Sequence, residues 1–224
     1  SGVPELPRES VFHALNQKAV ARLFAKESNK RYEDLNLIVC HMGGGITVSA
    51  HRRGRVIDTT NALDGCGPFS PERSGSLPPG PLVRLCFSGK YTEDELIKMV
   101  HGAGGLYAHL GTTSVPEVLD RILNHDLHAM LILRAMCYTI CKEIGAMATA
   151  LKGDVDAILL TGGIAHSKRV TDFIADHVDY IAPIYVYPGE NELRALAENA
   201  FAVLRGERTP KVYESTANED PSQI

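Results

Sequence analysis

Three stretches of this chain hold residue types that could meet a phosphate. In "CHMGGGITV", His41 and the run Gly43, Gly44 and Gly45 stand between two apolar segments. Glycine accepts positive φ without steric cost, so the run reads as a hairpin turn. It reads equally as a turn whose bare backbone N–H groups face anionic oxygens. His41 adds a side chain that could donate to such an oxygen, or could simply close a strand. In "LLTGGIAHS", an apolar run leads into Gly162, Gly163 and Ile164 and then a helix start. A helix N-terminus offers unpaired N–H groups and a positive dipole end, and two glycines let a ligand approach the backbone. In "PFSPERSGSLP", Arg73 stands on a long loop of Ser, Gly and Pro. Its guanidinium suits bidentate contact with phosphate or carboxylate, and the alternative is a solvated surface arginine.

The common phosphate and nucleophile signatures are absent. A Walker loop fails because Gly89-Lys90 is followed by Tyr91, and Arg84 stands where the first glycine belongs. A dinucleotide fingerprint fails because Gly43-x-Gly45 puts Val48 at the third glycine position. No G-x-S-x-G elbow occurs. Cys137 and Cys141 lie one helical turn apart in an apolar segment with no further ligand pattern, which suits buried thiols better than a metal. His125 and His128 are too few for zinc. Gly102–Gly105, "GAGG", reads as the end of a helix followed by a mobile turn.

Composition sets the frame for these candidates. Over 224 residues, 44% are hydrophobic and 22% charged, with a net charge of −4 and no basic block. That is the make-up of a globular chain with a proper core, and it argues against nucleic acid as a main partner. The apolar stretch 129–141 is interrupted by Arg134 and too short to span a bilayer. Five cysteines without paired spacing suggest reduced thiols and a cytoplasmic setting. No signal peptide is visible.

The elements that must position the candidates follow from periodicity. "SGVPELPRES" reads as a proline-punctuated connector, and residues 1–15 as the link into a lobe spanning 16–206. Asn16–Lys26 carries a helical apolar face. Leu35–Cys40, Ile46–Ala50 and Val56–Thr60 read as three strands of an antiparallel meander. The loop from Ala62 to Gly80 is long enough to be functional. Helices are expected at Leu82–Phe87, Thr92–His101, Val115–His125 and Leu127–Leu151, with Thr92 and Glu95 forming a capping-box pattern. A strand at Asp156–Leu160, a helix at His166–His177, a strand at Tyr180–Tyr187 and a helix at Asn191–Arg205 complete the lobe, and 207–224 reads as a polar tail. This order predicts an α/β fold: a mixed sheet of three antiparallel strands followed by crossover strands, flanked by helices and carrying a helical insertion. A ribonuclease-H-like lobe, as in the sugar kinase, heat-shock ATPase and actin superfamily, is one of several α/β folds with that pattern.

Taken together, "FHALNQKAVAR", "HMGGGITVSAHRRGRVIDTTNALDGCGPFSPERSGSLP", "LLTGGIAHS" and "PGENELRALAENA" resemble the butyrate kinase branch of the acetate and butyrate kinases. The resemblance extends to about Tyr213. It implies an acetokinase fold of two ribonuclease-H-like lobes around a cleft. It also implies Mg²⁺-dependent phosphoryl transfer between ATP and a short-chain carboxylate, giving an acyl phosphate and ADP. By position, His13 resembles the family histidine at the transferring phosphoryl group, and Arg73 the arginine that holds substrate and stabilises charge. His41 and Gly43–Gly45 correspond to the turn along the nucleotide phosphates. In the acetate branch that turn carries an asparagine where this chain has Gly44. Gly162, Gly163 and Ile164 match the loop beneath the adenosine, and Glu190 or Glu192 the acidic residue near the metal. The resemblance further implies an N-terminal lobe, so the chain is expected to be the C-terminal portion of such a kinase and inactive without the missing wall of the cleft. A non-catalytic nucleotide-binding or assembly module on the same fold is the alternative. The apolar helix Leu127–Leu151 could supply a homo-oligomer interface.

Overall fold

The structure, a computed structural model, describes residues 2–61, 63, 66–189, 196–197, 200–201, 203–206 and 209–210. Residues 1–190 form one compact unit and residues 191–224 a second. In the second, 196–197, 200–201 and 203–204 are helical. Most of the expected helix at Asn191–Arg205 and of the 207–224 tail lies outside the described residues, as do Glu190 and Glu192.

The first unit is built on a five-stranded mixed sheet in the order β3-β2-β1-β4-β5. Strands β1 (Asn36–Met42), β2 (Ile46–Arg52) and β3 (Arg55–Thr59) form the antiparallel meander. Strands β4 (Ala157–Gly162) and β5 (Ile184–Pro188) join parallel to β1, with Leu37 opposite Ala157 and His41 opposite Thr161. These are the strands and directions expected of a ribonuclease-H-like lobe. β1 is buried along its whole length because helices cover both of its faces.

Helix α1 (Ala14–Glu27) covers one face, where Val20, Ala21 and Phe24 meet Leu37, Val39, Ala157 and Leu159. The long helix α6 (Leu127–Ala150) covers the other, where Met136, Ile140 and Ile144 join Ile38, Cys40, Met42, Val48, Ile158 and Leu160. Alternation decides which residue goes where, since successive strand side chains point to opposite faces. Cys40, Cys137 and Cys141 are buried unpaired thiols, and burial pushes Cys137 up to about 12 and Cys141 up to about 11. No helix among the described residues is long and apolar enough to cross a membrane.

The insertion between β3 and β4 departs from expectation in two places. Helix α2 (Pro79–Cys86) starts before Leu82, because proline fits a first helical turn where its missing N–H is not needed. Helix α3 (Glu93–Val100) has the expected capping box, with Thr92 and Glu95 bonded reciprocally. The "GAGG" run follows the end of α3 but also opens helix α4 (Gly105–Leu110), with Gly104 as its N-cap. Helices α5 (Val115–Leu123) and α7 (Lys168–Val178) follow expectation. β5 starts at Ile184 and not at Tyr180, which is exposed in the turn after α7.

Candidate functional site

The parallel strands β1 and β4 end at the same edge of the sheet, and the segments that follow them meet at a cavity of about 430 Å³. Gly43 and Gly44 line it from the turn after β1, and Pro71 and Glu72 from the long loop. Gly163, Ile164, His166 and Ser167 line it from the segment after β4, and Thr113 to Pro116 with Leu119 from the start of α5. Two helix N-termini therefore border one cavity. Ser114 Oγ accepts from Glu117 N at 3.3 Å, and Ser167 Oγ accepts from Val170 N at 3.4 Å. Pro116 has no N–H, so α5 leaves only Val115 N of its first turn, whereas α7 leaves those of Lys168 and Arg169, and both helices add a positive dipole end. The volume suits a small organic molecule.

The glycines of the β1 turn have a second reason to be glycine. Gly43 N donates to Gly45 O at 3.0 Å, closing a tight turn. A Cβ on Gly44 would collide with the Glu72 carboxylate, and one on Gly45 with the Arg73 guanidinium. The loop carrying those two side chains is pinned in place. Ser70 Oγ donates to Gly44 O at 2.6 Å, Gly102 N and Gly104 N donate to Glu72 O at 2.8 and 3.1 Å, and Leu106 N donates to Ser70 O at 3.0 Å. Side chains on Gly104 or Gly105 would strike the backbone of this loop. The "GAGG" run is thus the seat of the arginine loop. Gly162, at φ +90°, presses on the backbone of Met42, whereas Gly163 has open space and borders the cavity.

Behind the turn lies a polar layer between α1 and the sheet. His13, at the N-cap of α1, stacks on His41 with ring centroids 3.8 Å apart and 16° between planes. His13 Nδ1 lies 2.9 Å from Thr47 Oγ1, and His41 Nδ1 lies 2.9 Å from Asn16 Oδ1. Gln17 ties the layer together: its Nε2 donates to Thr47 Oγ1 at 2.9 Å, and its Oε1 lies 3.1 Å from His51 Nε2. An amide oxygen only accepts, so His51 Nε2 carries the proton and its Nδ1 accepts from Tyr32 OH at 2.7 Å. Burial agrees with that neutral tautomer, lowering His51 to about 3. His41 is also lowered to about 3, by burial and then by the neighbouring His13. Burial pushes Tyr32 up to about 12. At neutral pH the buried layer carries no charge on these three groups.

The structure brings Gly43, Gly44, Gly163 and Ile164 to one cavity and sets Gly45 and Arg73 against each other beside it. His41 is 1% exposed, and its ring lies against His13 and does not line the cavity. Gly162 serves a close approach of two strand ends. Glu190 and Glu192 fall outside the described residues. Sequence reasoning passed over Glu72, although it adjoins Arg73, and Ser114, whose S-x-x-E spacing to Glu117 is a helix-start signal. It also passed over Gln17 and Thr47, whose partnership joins residues 30 positions apart.

The strand order, the helices on both faces and the cavity at the strand ends define a lobe of the actin-like ATPase fold. The fold is similar to that of acetate kinase from Porphyromonas gingivalis, with a TM-score of 0.77 at 19% identity over 86% of this chain and 55% of that one. Residues 6–220 match the acetokinase family, and the chain belongs to that family. It is 58% identical over 213 residues to butyrate kinase 2 from Clostridium acetobutylicum, and 54% identical to a probable butyrate kinase from Bacteroides thetaiotaomicron. Each alignment covers 95% of this chain and 60% of the relative, so the chain spans about three fifths of the length of the curated relatives it matches.

Proposed function

We propose that this chain is the nucleotide-binding part of a carboxylate kinase that interconverts ATP and butanoate with ADP and butanoyl phosphate. The observation that carries the proposal is the meeting of the Gly43–Gly44 turn, Gly163–Ile164 and two helix N-termini around one cavity. Backbone N–H groups at glycine turns and helix starts are suited to phosphates. Ile164, Pro116 and Leu119 are suited to the apolar faces of a base and ribose. Likeness to butyrate kinases supports a short-chain carboxylate as the second substrate.

In this proposal a carboxylate oxygen attacks the γ-phosphorus in line and needs no strong base, since it is ionised at neutral pH. Catalysis then rests on positioning and on meeting the charge of the transferring group. Arg73 would stabilise that charge from the edge of the glycine turn. His13, steadied by its stack on His41 and by Thr47, would donate to the same group. Groups beyond these 224 residues would supply the facing wall and help shape the acyl pocket.

Mg²⁺ belongs with this chemistry. No cluster of three or more His, Cys, Asp or Glu positioned for a metal occurs among the described residues. Mg²⁺ bound with a nucleotide takes most of its oxygens from phosphates and water and needs only one or two carboxylates. Glu72 borders the cavity and fits that requirement. When bound, the ion would offset phosphate charge.

The test is calorimetric titration of the chain with ADP in Mg²⁺, with and without butanoate. Saturable ADP binding that is abolished by Gly163→Trp supports the reading. The absence of any nucleotide binding overturns it. Nucleotide binding by the full-length protein without butanoate-dependent phosphoryl transfer would favour the non-catalytic module.

A further inference from the structure

Glu72 stands out because its charge is the wrong sign for its place. It borders the cavity at the glycine turn, where the proposed phosphates would lie, and its carboxylate covers the bare face of Gly44. Among the described residues it has no ion-pair partner. None of the described residues lining the cavity is Lys or Arg. Its position is built: its backbone oxygen takes two hydrogen bonds, from Gly102 and Gly104, and the next residue's guanidinium is seated on Gly45.

A phosphate chain brought into this cavity without a counter-cation would meet the half-buried Glu72 carboxylate at close range, and like charges repel. The same carboxylate becomes favourable if the phosphates arrive with a divalent ion, which takes carboxylate, phosphate and water oxygens together. We propose that Glu72 makes the cavity selective for a metal–nucleotide complex over the free nucleotide, by ligating the accompanying divalent cation directly or through one coordinated water. Gly44 is part of the device, because a side chain there would displace the carboxylate. The inference rests on the nucleotide reading above and deepens it by naming the residue that enforces metal dependence.

The experiment is calorimetry of ADP binding to the chain in excess Mg²⁺ and in EDTA, for the unaltered protein, Glu72→Gln and Gly44→Ala. The unaltered chain should bind ADP at least about tenfold more tightly with Mg²⁺. Glu72→Gln should bring the two arms within about twofold, weakening binding in Mg²⁺ and strengthening it in EDTA. Gly44→Ala should shift the ratio the same way. Mn²⁺–ADP supplies a second readout, since water-proton relaxation enhancement by the bound ion should fall in Glu72→Gln. Glutamine keeps the side-chain size and the backbone bonds, and matching thermal melts check the fold. An unchanged Mg²⁺-to-EDTA ratio in Glu72→Gln overturns the inference and leaves nucleotide binding standing. No binding in either arm by the unaltered chain overturns the functional reading and this inference with it.

Discussion

The two faces of the central sheet are made from the same strands and do different work. Under α6 the facing residues are Ile38, Cys40, Met42, Ile46, Val48, Ala50, Ile158 and Leu160, all apolar and all buried. Under α1 an apolar patch of Leu37, Val39, Ala157 and Leu159 shares the face with a polar row: Thr47, Ser49 and His51 on β2, equally buried, and His41 and Thr161, which extend it across β1 and β4. An apolar face contributes stability through transfer and packing without regard to direction. The polar row contributes little net energy but orients the side chains that find partners, as Gln17, Thr47, Ser49 and His51 do, while Thr161 Oγ1 has none among the described residues. The oriented face ends at His13 and His41, next to the glycine turn. The apolar face is a foundation, and the polar face positions groups for a ligand.

Substitutions at the cavity and on the two faces should differ widely in effect. On the proposed function, Arg73→Ala in the full-length protein should lower turnover by about 10³-fold or more while leaving thermal stability nearly intact. Near-normal steady-state rates would remove Arg73 from its proposed role. On the apolar face, Ile140→Ala should cost about 2–5 kcal/mol in denaturant unfolding, because Ile140 is completely buried. Nucleotide affinity should survive below the transition. On the polar face, Gln17→Ala leaves His51 Nε2 without its acceptor and takes one of two partners from Thr47 Oγ1, and should cost about 1–3 kcal/mol. If the layer orients His13, the full-length variant should also lose turnover at unchanged ADP affinity.

pH offers a further separation. His41 and His51 are lowered to about 3, while an unfolded histidine titrates near 6.5. The unfolded state therefore binds more protons between these values, and stability present above pH 6.5 is lost as pH falls toward 3. The slope should approach about 1.4 kcal/mol per pH unit for each histidine, and urea midpoints from pH 7 to 4.5 would measure it. In His51→Gln the slope should be roughly halved. The smallest effect is expected for Ser114→Ala, about 1 kcal/mol for loss of the α5 cap, with weakened ADP binding because that helix start borders the cavity.

Much of the fold was legible in the sequence because periodicity is local. β2 reads Ile46-Thr47-Val48-Ser49-Ala50-His51, and that alternation announces both a strand and its two faces. Thr92 and Glu95 announced a helix start that the structure has. α4 was not legible, since six residues opened by glycine carry too little pattern, and its place depends on the loop packed against it. Of the candidate site, the glycine runs and Arg73 stood out by type and spacing. Glu72, Gln17 and Thr47 did not, because their significance lies in contacts with residues distant in the chain.

The strands, most of the helices, the motifs that mark the acetokinase family and the segments where phosphate chemistry could be housed are written in the order of the residues. Those follow from local propensity and residue type. Only in three dimensions do Gly44 and Gly45 make room for Glu72 and Arg73, does Gly162 make room for Met42, and does His41 support His13 from beneath. The physical reason is that steric exclusion, burial and hydrogen-bond pairing are properties of spatial neighbours. In this chain the neighbours that matter are separated by 26 residues between Ser70 and Gly44 and by 34 between His13 and Thr47.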